Sequence, residues 1–379
     1  MKILHFIAGL GRGGAEAMLA KLALGGGAHE HMVLSLGAIG PVGEELAAAG
    51  IRVHALNVGR RGRNLSGLFT VGGLVDRERA DIVQGWMSHG NLAATAAHWL
   101  TRRRSPLLWN IRQSLSVPKC DRWTTRRIIA VNARLSGRPA AIVYNSTQGA
   151  LEHEAIGYAR QKRRIIPNGF DLERFQPSPV ARRAMRRDLG VRDDEILIGL
   201  IARFDPWKNH EGFFAAASEL MVGQPAVRFL FAGSGMTREN PQVAHLMADP
   251  RLAERSLLLG DRSDIPAITN ALDIACNVSH GEGFPNTIGE AMACAIPCVV
   301  TDAGDCREIV GDAGTVCADK RPSTIAAALS AMIDLGGQGR SHLGRLARER
   351  IEHHYSLSAV VARYDALYEE AAEASAAGR

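Results

Sequence analysis

The strongest constraint on the fold is a rhythm: short β-branched and apolar runs alternate with longer stretches of helical spacing, and the whole pattern occurs twice. In the first half the runs cover residues 2–8, 31–36, 51–56, 81–84, 107–111, 141–144 and 164–166, with helical spacing over 16–25 and 42–49. It restarts with 196–202, 228–232, 257–259, 274–277, 297–301 and 314–316. Such alternation predicts parallel sheets covered by crossover helices. A chain of 379 residues also exceeds what one core usually supports. Two doubly wound α/β domains follow. Pro167-Asn168-Gly169, Pro177 and Pro179 interrupt any helix at the joint, giving a first domain over 1–178 and a second over 179–355. In the tail, 356–379, Val360, Val361, Tyr364, Leu367 and Tyr368 fall on one helical face that needs a partner surface.

Hydrophobic residues make up 46% of the chain and charged residues 22%, which excludes a disordered or fibrous protein. No run of about 18 apolar residues occurs, and the run at 3–8, broken by His5, is too short for an export signal. The six cysteines, Cys120, Cys276, Cys294, Cys298, Cys306 and Cys317, form no C-x-x-C pair and suit free thiols in a cytoplasmic protein. Cys294 and Cys298 have the spacing to share a helix face, but no metal site is expected there.

The net charge of +6 hides an asymmetry. Up to Ser178 there are 24 Lys+Arg against 12 Asp+Glu, and beyond it 21 against 27. The basic excess gathers in Arg102-Arg103-Arg104, in residues 122–138 and in Lys162-Arg163-Arg164, near Trp99, Trp109 and Trp123. This combination suits an anionic membrane surface, with a solvated basic face as the plainer alternative. No recognition motif points to nucleic acid.

Three segments carry the chemistry. Gly9, Gly11 and Gly14 follow the first apolar run with G-x-G-x-x-G spacing, which lets backbone amides at a helix start approach a phosphate. A tight turn explains the same glycines without a ligand. No acid follows the second run until Glu44, so a nicotinamide-binding site is disfavoured. Arg203 and Lys208 emerge after the first run of the second half, at the sheet end where open α/β folds bind ligands. There they would hold a diphosphate, or simply flank the turn made by Asp205-Pro206. The third segment contains Glu282 and, eight residues on, Glu290, across Gly283-Phe284-Pro285 and into a helix. Two acids so spaced can face one cavity, although Thr287 and Glu290 also fit a capping box in the helix's first turn.

Glu282-x7-Glu290, with Pro297-Cys298-Val299-Val300-Thr301-Asp302 and Gly304, resembles the retaining glycosyltransferases of family four. Gly13-Gly14-Ala15-Glu16, Pro167-Asn168-Gly169-Phe170-Asp171 and Ala202-Arg203-Phe204-Asp205 with Lys208-Asn209 extend the likeness in the expected order. The resemblance implies a GT-B fold: two facing Rossmann-like domains and a last helix crossing back to the first. It implies a sugar moved from a nucleotide sugar, UDP- or GDP-linked, to a glycan or lipid-linked acceptor in polysaccharide or glycolipid assembly. Arg203 and Lys208 would bind the diphosphate, Glu290 the ribose and Glu282 the hexose, with backbone amides of Gly283, Phe284, Asn286 and Thr287 around sugar and phosphate. Gly13 and Gly14 would complete the diphosphate site from the other domain. His89, after an apolar run, would stand beside the reacting sugar, and Arg112, after another, would contact acceptor or phosphate. No cofactor or metal is expected, since no D-x-D occurs and fixed cations take that role. A non-hydrolysing sugar-nucleotide epimerase and a nucleotide-sugar-binding regulator without turnover are the alternatives.

Overall fold

The computed structural model describes residues 1–57, 66–115, 123–224 and 226–377; Cys120 and Arg122 lie outside them. Every apolar run named above forms a strand. The first seven, β1 (Lys2–Ile7), β2 (Glu30–Ser35), β3 (Arg52–Ala55), β4 (Ile82–Trp86), β5 (Leu107–Ile111), β6 (Ala141–Tyr144) and β7 (Arg163–Ile165), build one parallel sheet in the order β3-β2-β1-β4-β5-β6-β7. The other six, β8 (Ile196–Ile201), β9 (Val227–Ala232), β10 (Ser256–Leu258), β11 (Ile274–Asn277), β12 (Cys298–Thr301) and β13 (Gly314–Cys317), build a second in the order β10-β9-β8-β11-β12-β13. Both orders reverse beside the strand that opens the sheet, so each has one topological switch point: β1/β4 and β8/β11.

Side chains alternate across a strand, and each sheet is buried on both faces. In β1, Ile3 and Ile7 join one core cluster while Leu4 and Phe6 join the other. The first of these clusters is closed by the last helix, Leu357–Ala377, through Val360, Val361, Tyr364, Leu367, Tyr368 and Ala371. Burying a Val or Leu contributes about 1.5–3 kcal/mol, so this face fixes the helix to the first unit. That unit comprises Met1–Gly169 and the last helix; the second is Phe170–Ser356. The division falls at Gly169, where the prolines had placed it nearer Ser178. Phe170 explains this, because its ring stacks on Phe284 and lies where any side chain on Gly289 would go.

Two side-chain expectations fail. Trp109 is fully buried and donates its indole N–H to Thr95 Oγ1 at 3.0 Å, so of the three tryptophans named above only Trp99 and Trp123 are exposed. Cys294 and Cys298 do not share a helix: helix Asn286–Ala293 stops at Cys294, Ala295 turns to φ +58°, and Cys298 opens β12. The five described cysteines are buried free thiols, and burial pushes the Cys294 thiol up to about 12.

Candidate functional site

The residues singled out from sequence flank the two switch points. In the second unit β8 delivers Arg203, and a 3₁₀ turn, Pro206–Lys208, follows it. Asp205 starts that turn by accepting the Trp207 amide at 3.0 Å. Asn209 ends it in the left-handed region, φ +54°, which asparagine tolerates better than most residues. Its side chain caps helix His210–Gly223 at the Gly212 amide and donates to the Val278 carbonyl at 3.1 Å, joining the β8 turn to the end of β11. The His280 amide adds a second tie, donating to the Trp207 carbonyl at 2.8 Å.

These ties bring Lys208 and Glu282 together. Lys208 Nζ donates to Glu282 Oε1 at 2.5 Å, with Lys208 22% exposed and Glu282 9%. The same oxygen accepts from Ser279 Oγ at 2.7 Å and Asn277 Nδ2 at 3.1 Å. Ser279 is fixed in turn by Thr301 Oγ1, which donates to its carbonyl at 2.8 Å. Gly304, at φ +55°, lets the β12 loop press on the Glu282 carbonyl where a Cβ would stand 2.5 Å away. Arg203 instead donates from Nε and a terminal nitrogen to Asp205 Oδ2, at 3.2 and 3.1 Å. Partial burial pushes the Asp205 carboxyl up, but the Trp207 amide, Arg203 and Lys208 outweigh it and hold the group below the usual range.

Sequence reasoning passed over Asn277 and Ser279 as ligands of Glu282. The available signal was a polar residue closing an otherwise apolar strand. It also misjudged the start of the next helix. Pro285, which offers no side-chain acceptor, occupies the cap position, so Thr287 is the second helical residue and Glu290 the fifth. No capping box forms, and Glu290 is not spent on one. Phe284 points its ring into the core against Phe170 and Tyr355, leaving only its backbone for a ligand.

In the first unit β1 runs into the glycine loop and helix Gly14–Leu24, whose cap residue is Gly13. Gly9, Gly11 and Gly14 have no left-handed φ, and a Cβ on any of them would meet nothing within 4 Å. Neither turn geometry nor packing inside the described residues demands glycine there, so the tight-turn explanation loses its basis. The Glu16 carboxylate folds back against Gly13 at the helix start. Across the switch point, Trp86 ends β4, Met87 adopts φ +61° and helix Met87–Leu100 begins. A left-handed methionine costs about 1–3 kcal/mol, and such strain gathers at ligand sites. His89 stands in this strained first turn, half-buried, 3.4 Å from Ser88 Oγ through Nδ1. Gly90 lets the turn lie on the end of β1, where a Cβ would clash with the Phe6 carbonyl.

Arg112 is committed elsewhere. It donates to Asn110 Oδ1 at 3.1 Å, to Tyr364 OH at 2.8 Å and to Asn168 Oδ1, and lies over the Trp86 ring. Tyr364 belongs to the last helix, so this guanidinium pins that helix to β5.

The comparisons with known proteins agree with the two-unit parallel α/β fold. A family model described as a glycosyl transferase 4-like domain matches residues 13–169, and one described as glycosyl transferases group 1 matches residues 195–334. D-inositol 3-phosphate glycosyltransferase of Geodermatophilus obscurus is 32% identical over 226 residues, 56% of this chain and 49% of that protein. A galactosyltransferase of Escherichia coli, which acts from UDP-Gal on α-D-GlcNAc-diphosphoundecaprenol, is 34% identical over 140 residues, 36% of each. The chain thus spans about half or less of the length of these relatives. Among solved structures, Anabaena HepE in complex with UDP superposes with a TM-score of 0.85 at 22% identity, covering 98% of this chain and all of that one. Sucrose-phosphate synthase of Thermosynechococcus elongatus follows with a TM-score of 0.77 at 17% identity, covering 97% and 98%. The chain therefore carries, in order, a glycosyl transferase 4-like domain and a glycosyl transferases group 1 domain on a GT-B fold.

Proposed function

We propose that this protein is a retaining, metal-independent glycosyltransferase that moves a hexose from a UDP- or GDP-sugar to a hydroxyl of a glycan or lipid-linked acceptor. The observation that carries the reading is the Arg203, Lys208 and Glu282 group at the β8/β11 switch point, where an open parallel sheet takes its ligand. The description of HepE bound to UDP-glucose supports the donor class.

In this reading Arg203 and Lys208 hold the diphosphate and neutralise the charge that builds on it as the bond to the sugar breaks. Glu282 accepts hydrogen bonds from hexose hydroxyls and Glu290 from the ribose. The amides at the start of helix Asn286–Ala293, with those of Gly283 and Phe284, face phosphate and sugar oxygens. The first unit offers helix-start amides at Gly13 and Gly14 for an anion and His89 for the reacting sugar. No side chain is assigned as a covalent nucleophile. The bond from the anomeric carbon to the phosphate oxygen breaks, the acceptor oxygen bonds to that carbon on the same face, and its proton passes to the leaving phosphate. Two fixed cations do the work a divalent metal does in other transferases, so EDTA is expected to leave turnover unchanged.

Thermal stabilisation against a panel of nucleotide sugars identifies the donor, since only a ligand of the folded state raises the melting temperature. Transfer is then followed with that donor, and NMR of the product is expected to show the donor's anomeric configuration. Donor turnover without acceptor would instead indicate an epimerase, and binding without release of nucleoside diphosphate a regulator.

Membrane docking is proposed for one surface of the first unit. On helix Trp123–Leu135, Trp123 is 65% exposed with Arg127 over its ring at 4.6 Å, and Arg126 and Arg134 are exposed beside them. Among the described residues none of these arginines forms an ion pair, whereas Arg163 and Arg164 are matched by Glu154 and Glu370. Asn132 moors this helix to the Ser88 carbonyl, next to His89. Trp99 and Arg102 to Arg104 sit at the opposite end of that sheet, where β5 begins.

A further inference from the structure

Each cation assigned to the diphosphate already holds a carboxylate of the protein, and each of those carboxylates has neutral donors of its own. Glu282 Oε1 takes three hydrogen bonds, from Lys208, Ser279 and Asn277. Three donors on one carboxylate oxygen exceed its two lone pairs, so loss of the ammonium still leaves that oxygen satisfied by Ser279 and Asn277. Among the described residues no hydrogen bond reaches Oε2. Asp205 is built in the same way: Arg203 sits on Oδ2, and Oδ1 keeps the Trp207 amide.

We infer that Glu282 is a specificity-determining residue that sets the preference for a sugar-bearing donor over the bare nucleoside diphosphate, by competing with the diphosphate for Lys208. This rests on reading Lys208 as the diphosphate ligand. When an anion draws Lys208 away, Glu282 stays in place on Ser279 and Asn277 as a buried carboxylate without its cation. A hexose offsets the loss, because its hydroxyls donate to Oε2, which takes no hydrogen bond among the described residues. A nucleoside diphosphate without sugar restores nothing. The product therefore binds against a penalty that the donor does not meet, and after transfer the return of Lys208 to Glu282 helps expel it. Asp205 lacks this selectivity, since it keeps its amide and is more exposed than Glu282.

The competition makes an unusual prediction: neutralising an acid of the sugar site tightens binding of the product. Calorimetric titration with UDP and GDP, at fixed salt, compares the full chain with Glu282→Gln, Lys208→Met and the double variant, each checked for an unchanged melting transition. Glu282→Gln is expected to bind the favoured nucleoside diphosphate about tenfold more tightly, while its affinity for the intact nucleotide sugar gains less or falls. The gain is expected to vanish in the Lys208→Met background, because it acts through that ammonium. Unchanged or weakened diphosphate binding in Glu282→Gln overturns the inference, as does an equal gain with Lys208 absent; both leave the transferase reading standing. If the unaltered protein binds no nucleoside diphosphate and no nucleotide sugar, the transferase reading falls and this inference with it.

Discussion

The two units share a plan and differ in where they keep their polar groups. Both place their candidate site residues at the switch point of a parallel sheet. In the second unit the candidate site's charged groups stand at the rim in short local runs, beside a core of aliphatic, aromatic and thiol side chains. In the first, polar groups penetrate the core itself, on the face covered by the last helix. Trp86 Nε1 donates to His5 Nδ1 at 3.0 Å, which leaves His5 Nε2–H to donate to His31 Nδ1 at 2.9 Å. His31 then carries its proton on Nε2, a buried atom with no acceptor. Tyr368 donates to Gln84 Oε1 at 2.6 Å, and Arg112 joins Asn110, Asn168 and Tyr364. The first unit thus invests buried hydrogen bonds in seating the helix that returns from the second. The second unit buries the Arg186 guanidinium on Asp273 and backbone carbonyls, but keeps its candidate site groups apart from that core, at the ends of β8 and β11.

The largest expected effect separates a rim cation from a core cation. Removing one preorganised charge stabiliser typically lowers turnover about 10²–10³-fold. Lys208→Ala is expected to do this with a smaller fall in melting temperature than Arg112→Ala, since Glu282 keeps Ser279 and Asn277 as donors when the ammonium is gone. Arg112→Ala is expected to do the reverse, since it strips a donor from Asn110 Oδ1 and from Asn168 Oδ1 at about 1–3 kcal/mol for each group left unsatisfied, and frees Tyr364 from one of its two ties. Parallel melting curves and steady-state rates check the contrast. An Arg112→Ala protein that melts normally but shows a raised acceptor KM would make Arg112 a ligand after all.

The next effect reads the buried histidines through pH. Burial, opposed by Asp365 and reinforced by His29, holds His31 down at about 4, and burial with His31 as neighbour holds His5 well below its usual value. The unfolded chain binds a proton at each near pH 6.5 while the folded chain does not. Their contribution to stability is therefore fully present above about pH 6.5 and is lost as the pH falls towards 4. For His31 alone this amounts to about 3 kcal/mol. Hydrogen exchange followed by mass spectrometry at pH 7.5 and 5, corrected for intrinsic rates, is expected to show protection falling in β1 and β2 more than in β8 and β9. Equal loss in both units would break the comparison.

The same difference explains what could be read from the sequence. All the strands and the second unit's acid and cation motifs were legible, because apolar periodicity and short-range spacing are local properties. The first unit's polar layer was not. His5, His31, Gln84, Arg112 and Tyr364 are far apart along the chain, and only strand order and the returning helix make them neighbours. Met87 carries no sequence mark for a left-handed turn. Thr287 and Glu290 matched a capping box by spacing alone, and a proline at the cap position defeated it. Trp109 counted as part of a basic aromatic surface until its strand proved to be covered on both faces.

The smallest effect concerns the outer surface of the first unit. A basic side chain near an anionic membrane contributes about 1 kcal/mol, roughly a fivefold change in partitioning, and the contribution fades with salt. Arg126→Glu is expected to lower binding to phosphatidylserine-containing vesicles by at least this factor at low ionic strength, and Trp123→Ala to lower it at any salt. Transfer to a soluble acceptor analogue is expected to persist in both. Arg104→Glu serves as the internal control: it removes as much positive charge from the same unit, but at the end of the sheet away from His89. If all the charge changes weaken vesicle binding alike, the attraction belongs to net charge and not to helix Trp123–Leu135. If anionic and neutral vesicles bind the unaltered protein equally, the basic half has a different use. Only a loss specific to Trp123 and Arg126 would put the membrane on the side of the first unit that carries its candidate chemistry, which is where a lipid-linked acceptor would have to arrive.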